Sequence, residues 1–507
     1  MKDVILGLLL GNFMAVLSWA LVCAPIAVQT RLTLYWYLRR IAGPVVTAVY
    51  NVLNGVLYCI LAGAMITVAA SAVRIPFGIP PQTGWLPHDW RFVAVVLGVG
   101  AVVVTVAILG FKRLAQFSLV SSPWLLTMFA SGALATLPTL AMSVLKTGEL
   151  HGLSDFWRLA QASIWTGKSL TGAKPIGFWH VAAFAWICNL AMHIGLSDMA
   201  LLRYARRWTY GFYSAFGMFL GHYLAWVAAG IMGASTALAL RRPLIELDAG
   251  AVAHYSLGVA GAIAVVVAGW TTANPTLYRA GLAFQAITPN WPRWLVTLLA
   301  GTITTLIACS PFVFTELLNF VGIYGLLLMP VGAVVFVEHW LFPKLGLSRG
   351  WASRKGLALN WSALTSWAIS VAIALALWLG GILHLFFLFI PTWVLTASLY
   401  LFLSRLAGAG EVPPEAEPSP AKVARTEGAP PSRPARKRNP LIAGMLLSLA
   451  VLSLLACLAL SIWVFLSGGE GYERALELFK AWLPLPTALY FASGIGWAWY
   501  TERGLGP

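Results

Sequence analysis

Thirteen apolar runs, most of them about as long as the roughly 20 residues a helix needs to cross a bilayer, constrain this chain more than any motif in it. They are Val4 to Ala27, Val46 to Val73, Phe92 to Phe111, Ser118 to Leu145, Trp179 to Leu202, Gly211 to Leu240, Val252 to Ala273 (running on to Phe284), Leu295 to Ser310, Phe312 to Leu341, Leu359 to Leu383, Leu385 to Leu403, Leu441 to Leu466 and Leu483 to Tyr500. The strict alternation of a membrane barrel is absent, so helices are left as the way to satisfy backbone polar groups in lipid. With 60% hydrophobic and only 10% charged residues among 507, the expected class is an all-α, polytopic membrane protein with about thirteen transmembrane helices.

The formal net charge of +16 does not point to nucleic acid, because the basic residues fall in short loops between apolar runs. They set orientation instead. Arg31, Arg39 and Arg40, then Lys112 and Arg113, then Arg203, Arg206 and Arg207, then Arg279 and Arg293, then Lys344, Arg349, Arg354 and Lys355 mark alternate loops as cytoplasmic. That assignment starts the first helix outside the cell, and the expectation drawn from it is that a helix preceding the first run is missing. The five cysteines lie in apolar runs without metal-type spacing and read as core residues. Composition divides the chain into a core, residues 1–407, a disordered Pro-, Ala- and charge-rich cytoplasmic linker, residues 408–440, and a pair of extra transmembrane helices, residues 441–507.

Polar groups inside lipid are costly and point by default to a pathway or a site. The candidates are Asn54 and Tyr58 in the second run; Asn189, His193 and Asp198 in the fifth; His222 in the sixth; Thr271, Thr272 and Asn274 in the seventh; and Glu316, Asn319, Glu338 and His339 in the ninth. Taken singly, most read as hydrogen bonds across packing seams. Glu338 and His339 read as a solvated pair at a helix end, and Asp198 as a partner for the Arg203 loop. "AGWTTANPTLYRAGLAF", Ala268 to Phe284, concentrates its polar features. Two hydroxyls beside free carbonyls make a hard-oxygen set suited to Na⁺, and Pro275 frees a carbonyl near Thr271. An ordinary proline kink, with the threonines bonded back to their own helix, is the competing reading. The chain carries no Walker loop, HExxH, GxSxG or Cys/His metal spacing, and no enzymatic activity is expected.

"GWTTANPTLYRAGLAFQAITPNWPRW", Gly269 to Trp294, and "LLNFVGIYGLLLMPVGAVVFVEHW", Leu317 to Trp340, resemble the eighth to tenth helices of the nucleobase:cation symporter-1 family, the cytosine, purine and hydantoin permeases. "LLLGNFMAVLSWALVCAPIAVQTRLTLYWYLRRIAGP", Leu8 to Pro44, resembles that family's second helix and the basic loop after it; "GLSDMALLRYARR", Gly195 to Arg207, resembles its sixth-helix exit with two extra residues. The resemblance spans Leu8 to Leu403. It implies a leucine-transporter-like fold of the APC superfamily, two inverted five-helix repeats with the first and sixth helices broken around the solute, and an absent first helix.

Carried over residue by residue, the resemblance puts a sodium half-site at Thr271, Thr272 and the Ala268 carbonyl. Solute-binding positions fall on Tyr58, where the family has tryptophan, on Asn189, and on Ala273 with Asn274 beside it; Asn54, a polar candidate of the same run as Tyr58, is counted with them. The family's glutamine position falls on Gly55. Ala273 and Asn189 lack the amide and the aromatic face that hold a base in the family, so the solute implied is a small, nucleobase-like or other heterocyclic compound, not a named base. The resulting expectation is a multi-pass permease of the inner membrane that imports such a solute with Na⁺ or H⁺ by alternating access, with lipid as its surroundings and no bound cofactor. A transporter-derived sensor or scaffold that no longer transports is the alternative.

Overall fold

In hydrocarbon a chain segment can satisfy its N–H and C=O groups alone only as a helix, and the apolar runs do so. The structure, a computed structural model, describes residues 2–82, 84–146, 150–168, 176–188, 190–412 and 439–502. Helix α1 (Lys2–Ser18) passes through a π-helical turn, Trp19–Cys23, into α2 (Ala24–Thr30). Helix α3 (Leu34–Val73) starts at Thr33, whose hydroxyl accepts from the Trp36 amide at 3.3 Å. Helices α4 (Trp90–Leu109) and α5 (Phe111–Val144) follow. The fifth run becomes three pieces, α6 (Phe178–Ile187), α7 (Leu190–His193) and α8 (Met199–Leu202). The core continues with α9 (Gly211–Leu240), α10 (Ala249–Ile287), α11 (Arg293–Ala308), α12 (Leu317–Phe336), α13 (Trp361–Leu379) and α14 (Leu385–Leu406). Helices α15 (Pro440–Leu466), α16 (Tyr472–Trp482) and α17 (Pro484–Glu502) complete the described chain.

Among the described residues ten helices are long and apolar enough to cross a membrane. The chain is a multi-pass membrane protein. The number falls below the thirteen expected because the fifth run is interrupted, α11 has only 16 residues, and α17 carries Pro484, Pro486, Thr487 and Thr501. Most of the expected linker, residues 413–438, lies outside the described residues.

The core is organised around α3 and α10, which lie against each other. Small residues permit the approach: a Cβ on Gly250 or Gly269 would stand 2.2 Å from the Ser71 carbonyl oxygen or 2.7 Å from that of Met65. Both helices are non-helical at a single glycine, Gly43 (φ 80°) in α3 and Gly258 (φ 61°) in α10, conformations that side chains with a Cβ avoid. Pro275 does not interrupt α10, whose non-helical residue is Gly258, between three and four turns before Thr271. For the same reason Arg279, expected in a cytoplasmic loop, lies within α10 and is buried at 4% exposure.

The C-terminal helices share a hydrophobic cluster with the core. Trp124, Met128 and Ala135 of α5, Leu257 and Ala260 of α10, Cys457 and Val464 of α15, and Tyr472, Leu476 and Phe479 of α16 pack together. The Tyr472 hydroxyl donates to the Ala135 carbonyl at 2.9 Å and pairs with the Thr139 hydroxyl at 2.7 Å. Lys480 Nζ stands 4.6 Å from the centre of the Tyr255 ring, against the Gly258 kink.

Candidate functional site

The interruption of the fifth run creates the polar centre of the molecule. Helix α7 ends at His193, Leu196 turns to φ +66°, and the Ser197 and Asp198 amides reach back to the Ala191 and Met192 carbonyls at 3.1 and 3.0 Å. This closing turn satisfies the last carbonyls of α7 and delivers Ser197 and Asp198, both buried, into the interior.

The facing elements meet these two residues with complementary groups. The Tyr58 hydroxyl from α3 hydrogen-bonds the Ser197 hydroxyl, and Arg279 Nη2 from α10 donates to Asp198 Oδ1. The Arg279 guanidinium also stands 6.0 Å from the Tyr58 ring centre, and Tyr324 of α12 meets that ring edge-on at 5.8 Å. From α1 the π-helical turn brings Trp19, whose ring lies 5.1 Å from that of His193. An ion pair with both partners about 95% buried is expensive to leave unpaired in this setting, which fixes the broken segment to α10. Asp198 therefore does not serve the Arg203 loop, as its sequence neighbourhood had indicated.

The residues expected at a solute site divide. Tyr58 and Asn54 lie one turn apart on α3, both fully buried, but the Asn54 amide is engaged inside the protein, accepting from Tyr35 at 3.2 Å and donating to Tyr50 at 3.1 Å. Ala273 is fully buried, and Asn274 donates from Nδ2 to the Trp270 carbonyl at 3.0 Å while its Oδ1 has no partner. Asn189 lies outside the described residues, as do the side chains of His222 and Asn319. Gly55 packs against the Phe284 ring, 2.5 Å from where a Cβ would stand, so a longer side chain there would have to displace that ring. The larger surface groove described, about 580 Å³, is lined by residues such as Phe77, Trp90, Val99 and Trp270 and contains none of Asn54, Tyr58 or Arg279.

At the expected cation half-site the Thr271 hydroxyl donates to the Ala268 carbonyl at 2.8 Å, and the Thr272 carbonyl accepts from the Thr276 hydroxyl at 2.6 Å. Thr271 thus bonds back to its own helix, as in the competing arrangement, whereas Thr272 takes part through its carbonyl. Even so, the Thr271 hydroxyl keeps its lone pairs, and Pro275, having no N–H, leaves the Thr271 carbonyl without its helical donor. Among the described residues no group of three or more His, Cys, Asp or Glu side chains is placed to hold a metal ion.

A second polar cluster corrects the reading of Glu338 and His339. Neither is solvated: both are buried in a π-helical turn, Val337–Leu341. Glu338 accepts from the Tyr400 hydroxyl at 2.6 Å and the Gly350 amide at 2.8 Å, and His339 bonds Tyr37 at 2.9 Å and Gln29 at 2.7 Å. Asn360 ties this cluster to the Ile41 carbonyl at 3.0 Å, next to the Gly43 kink. These contacts lock helix ends together.

No protein-family model matches the chain, and no curated protein matches it in sequence. Solved structures do match it in three dimensions. Mhp1, a nucleobase-cation-symport-1 family transporter, in a closed conformation with bromovinylhydantoin bound, aligns over 80% of this chain and 85% of its own at 15% identity, with a TM-score of 0.59. The inward-facing conformation of Mhp1 aligns over 80% and 84% at 16% identity and a TM-score of 0.56. A Na⁺-coupled sialic acid symporter in a substrate-bound outward-open state aligns over 79% and 83% at 14% identity and 0.54. The chain shares their fold. The leucine-transporter-like architecture implied by the resemblance is the architecture found.

Arg279 is the buried polar residue that the linear reading placed in a loop, and Asp198, one of its candidates, was given the wrong partner. The signal was available: the seventh run, counted on to Phe284, already contained Arg279, and the fifth contained one carboxylate, Asp198.

Proposed function

We propose that the chain is a secondary transporter that moves a small heterocyclic solute across the inner membrane by alternating access, in symport with Na⁺ or H⁺. The observation that carries this is the interruption at residues 194–198: a helix broken inside an apolar bundle, with Ser197 and Asp198 at the break facing α3 and α10. Irregular backbone at membrane depth is tolerated where it is buried in protein or lines a cavity, and transporters place their solute and ion sites at such breaks. The fold shared with symporters captured in closed, inward-facing and outward-open states supports the same reading.

The cation half-site is proposed at the Ala268 carbonyl, Thr271 and Thr272, and the solute site around Tyr58, Asn54, Asn189, Ala273 and Asn274. The test is uptake into proteoliposomes containing the full chain, under an imposed inward Na⁺ or H⁺ gradient, with a panel of labelled purines, pyrimidines, hydantoins and vitamin precursors. Gradient-dependent accumulation of at least one compound is expected. Accumulation no greater than in protein-free vesicles across the panel overturns the proposal and favours the sensor or scaffold reading, which draws on the close docking of α15 to α17 on the core.

A further inference from the structure

The Arg279–Asp198 pair is unfinished. Arg279 uses Nη2 on Asp198, but its Nε–H is buried with no partner, although an unmet buried donor costs about 1–3 kcal/mol and more for a charged group. Two more donors nearby share the condition. The Trp19 indole N–H lies close to the Asp198 carboxylate, and the Tyr324 hydroxyl close to that of Tyr58, each outside hydrogen-bond geometry. Each of these side chains is at most 5% exposed. Native interiors leave few polar groups unmet, so a cluster of them around one guanidinium calls for a specific cause.

The Arg279 Nε–H and the Trp19 indole N–H can only donate, and the Tyr324 hydroxyl is able to, so what completes the set must accept. A neutral carbonyl offers two lone pairs; a carboxylate offers about four, carries the charge that shortens and strengthens a bond to guanidinium, and matches its planar geometry. We propose that the transported solute bears a carboxylate on its ring, and that Arg279 receives it through the Nε–H while Asp198 continues to hold Nη2, with Trp19 and Tyr324 supplying the remaining donors and the Tyr58 ring lying against the heterocycle. The assignment rests on the transport reading above and names the solute class for that same site.

A charge balance follows from it. Arg279 and Asp198 neutralise each other, and no other charged side chain among the described residues pairs with either. Adding an anionic solute leaves one net negative charge in a buried, low-dielectric site, which is unfavourable until one cation enters with it. Coupling to a monovalent cation is then a requirement of the site's own electrostatics, and the loaded protein carries the solute electroneutrally.

The test uses matched compounds that differ by the carboxylate. Purified full-length protein in detergent is scanned by thermal shift with nicotinate against nicotinamide and orotate against uracil, with and without Na⁺. At least one carboxylate is expected to raise the melting temperature while its neutral partner does not, with Arg279→Lys weakening Kd by about tenfold and Arg279→Gln abolishing the shift. Because a lone Arg279→Gln leaves Asp198 unpaired and can unfold the chain, the double variant Asp198→Asn with Arg279→Gln, checked by size exclusion, is run beside it and is also expected to lose the shift. Equal stabilisation by the neutral compounds, no stabilisation by any of the four, or a shift retained in the folded double variant overturns the proposal. Carboxylate binding by a protein that accumulates nothing in vesicles would overturn the transport reading alone; uptake of neutral heterocycles without preference for the carboxylates would overturn this inference alone.

Discussion

Helix α10 is held by two Arg–Asp pairs, one at its start and one in its second half, and they are equally buried: side-chain exposures are 6% and 7% for Arg74 and Asp248, and 5% for each of Arg279 and Asp198. What separates them is completeness. Arg74 directs Nε and Nη2 to Asp248 Oδ2 at 3.0 and 2.5 Å and Nη1 to the Ile79 carbonyl at 2.7 Å, while Asp248 Oδ1 caps α10 by accepting from the Ala251 amide at 2.8 Å. Every nitrogen of that guanidinium is used. Arg279, equally sealed from solvent, leaves Nε unmet. Burial alone would class the two together; the count of satisfied donors marks one as a fastening between the end of α3 and the start of α10, and the other as a place with capacity left for a ligand.

The largest effect should come from the finished pair. Arg74→Ala leaves Asp248 charged, buried and unpaired, and should cost about 3–5 kcal/mol of stability, read as a large fall in melting temperature in detergent, while any fraction that folds keeps its ligand response. A ligand response lost along with the stability would break the distinction between the pairs. Removing both charges sharpens it further. Asp198→Asn with Arg279→Gln should sit within about 1–2 kcal/mol of the parent, because replacing both members of a buried pair avoids the unpaired charge. Arg74→Gln with Asp248→Asn should recover less, since the Ile79 carbonyl loses its charged donor in addition.

The smaller prediction on α10 concerns its other polar feature. Thr272→Ala should leave the fold and solute binding measured without Na⁺ unchanged but remove the stimulation of uptake by Na⁺; unchanged Na⁺ dependence would end the assignment of the cation half-site at Ala268, Thr271 and Thr272 and leave coupling to H⁺. Because Thr271 already donates to the Ala268 carbonyl, binding there need only add an ion to oxygens that exist, with no hydrogen bond to break.

The helices were legible because length and apolarity are local properties; α10 could be read almost to its ends, whereas the first twelve residues of α3, Leu34 to Val45, were taken for a basic loop. The break at residues 194–198 was not legible in the residues themselves, since Ala191, Met192, Ile194 and Leu196 keep the fifth run apolar across it; the resemblance implied a broken helix, and the backbone turn at Leu196 gives its place. Arg279 was placed in a loop because charge counting assumes that helices stop at the bilayer edge, whereas α10 runs 39 residues and carries the arginine inside. Pro275 drew attention to the wrong site of bending: proline removes one donor and leaves the rest of the helix to compensate, whereas Gly258 at φ 61° changes the direction of the chain. The closing donors of the polar centre, from α1, α10 and α12, lie far apart in sequence, and no local pattern joins them.

Helix α16 supplies the smallest test, a satisfied contact that carries no charge. Its sequence "YERALELFKAW", Tyr472 to Trp482, puts Tyr472, Ala475, Leu476 and Phe479 on one buried face at the spacing of an amphipathic helix, and that face is what docks the C-terminal pair on α5 and α10. Tyr472→Phe removes the hydroxyl shared by Ala135 and Thr139 while keeping the ring. The expected loss is about 1 kcal/mol, less than for either ion pair, because the Ala135 carbonyl retains its place in α5 and the Thr139 hydroxyl can turn back to its own helix. If the contact is only a fastening, the melting temperature falls slightly and uptake per folded molecule holds. If uptake falls further than stability, α16 acts on the Gly258 kink through Lys480, and a complete set of hydrogen bonds would no longer suffice to separate structural contacts from functional ones.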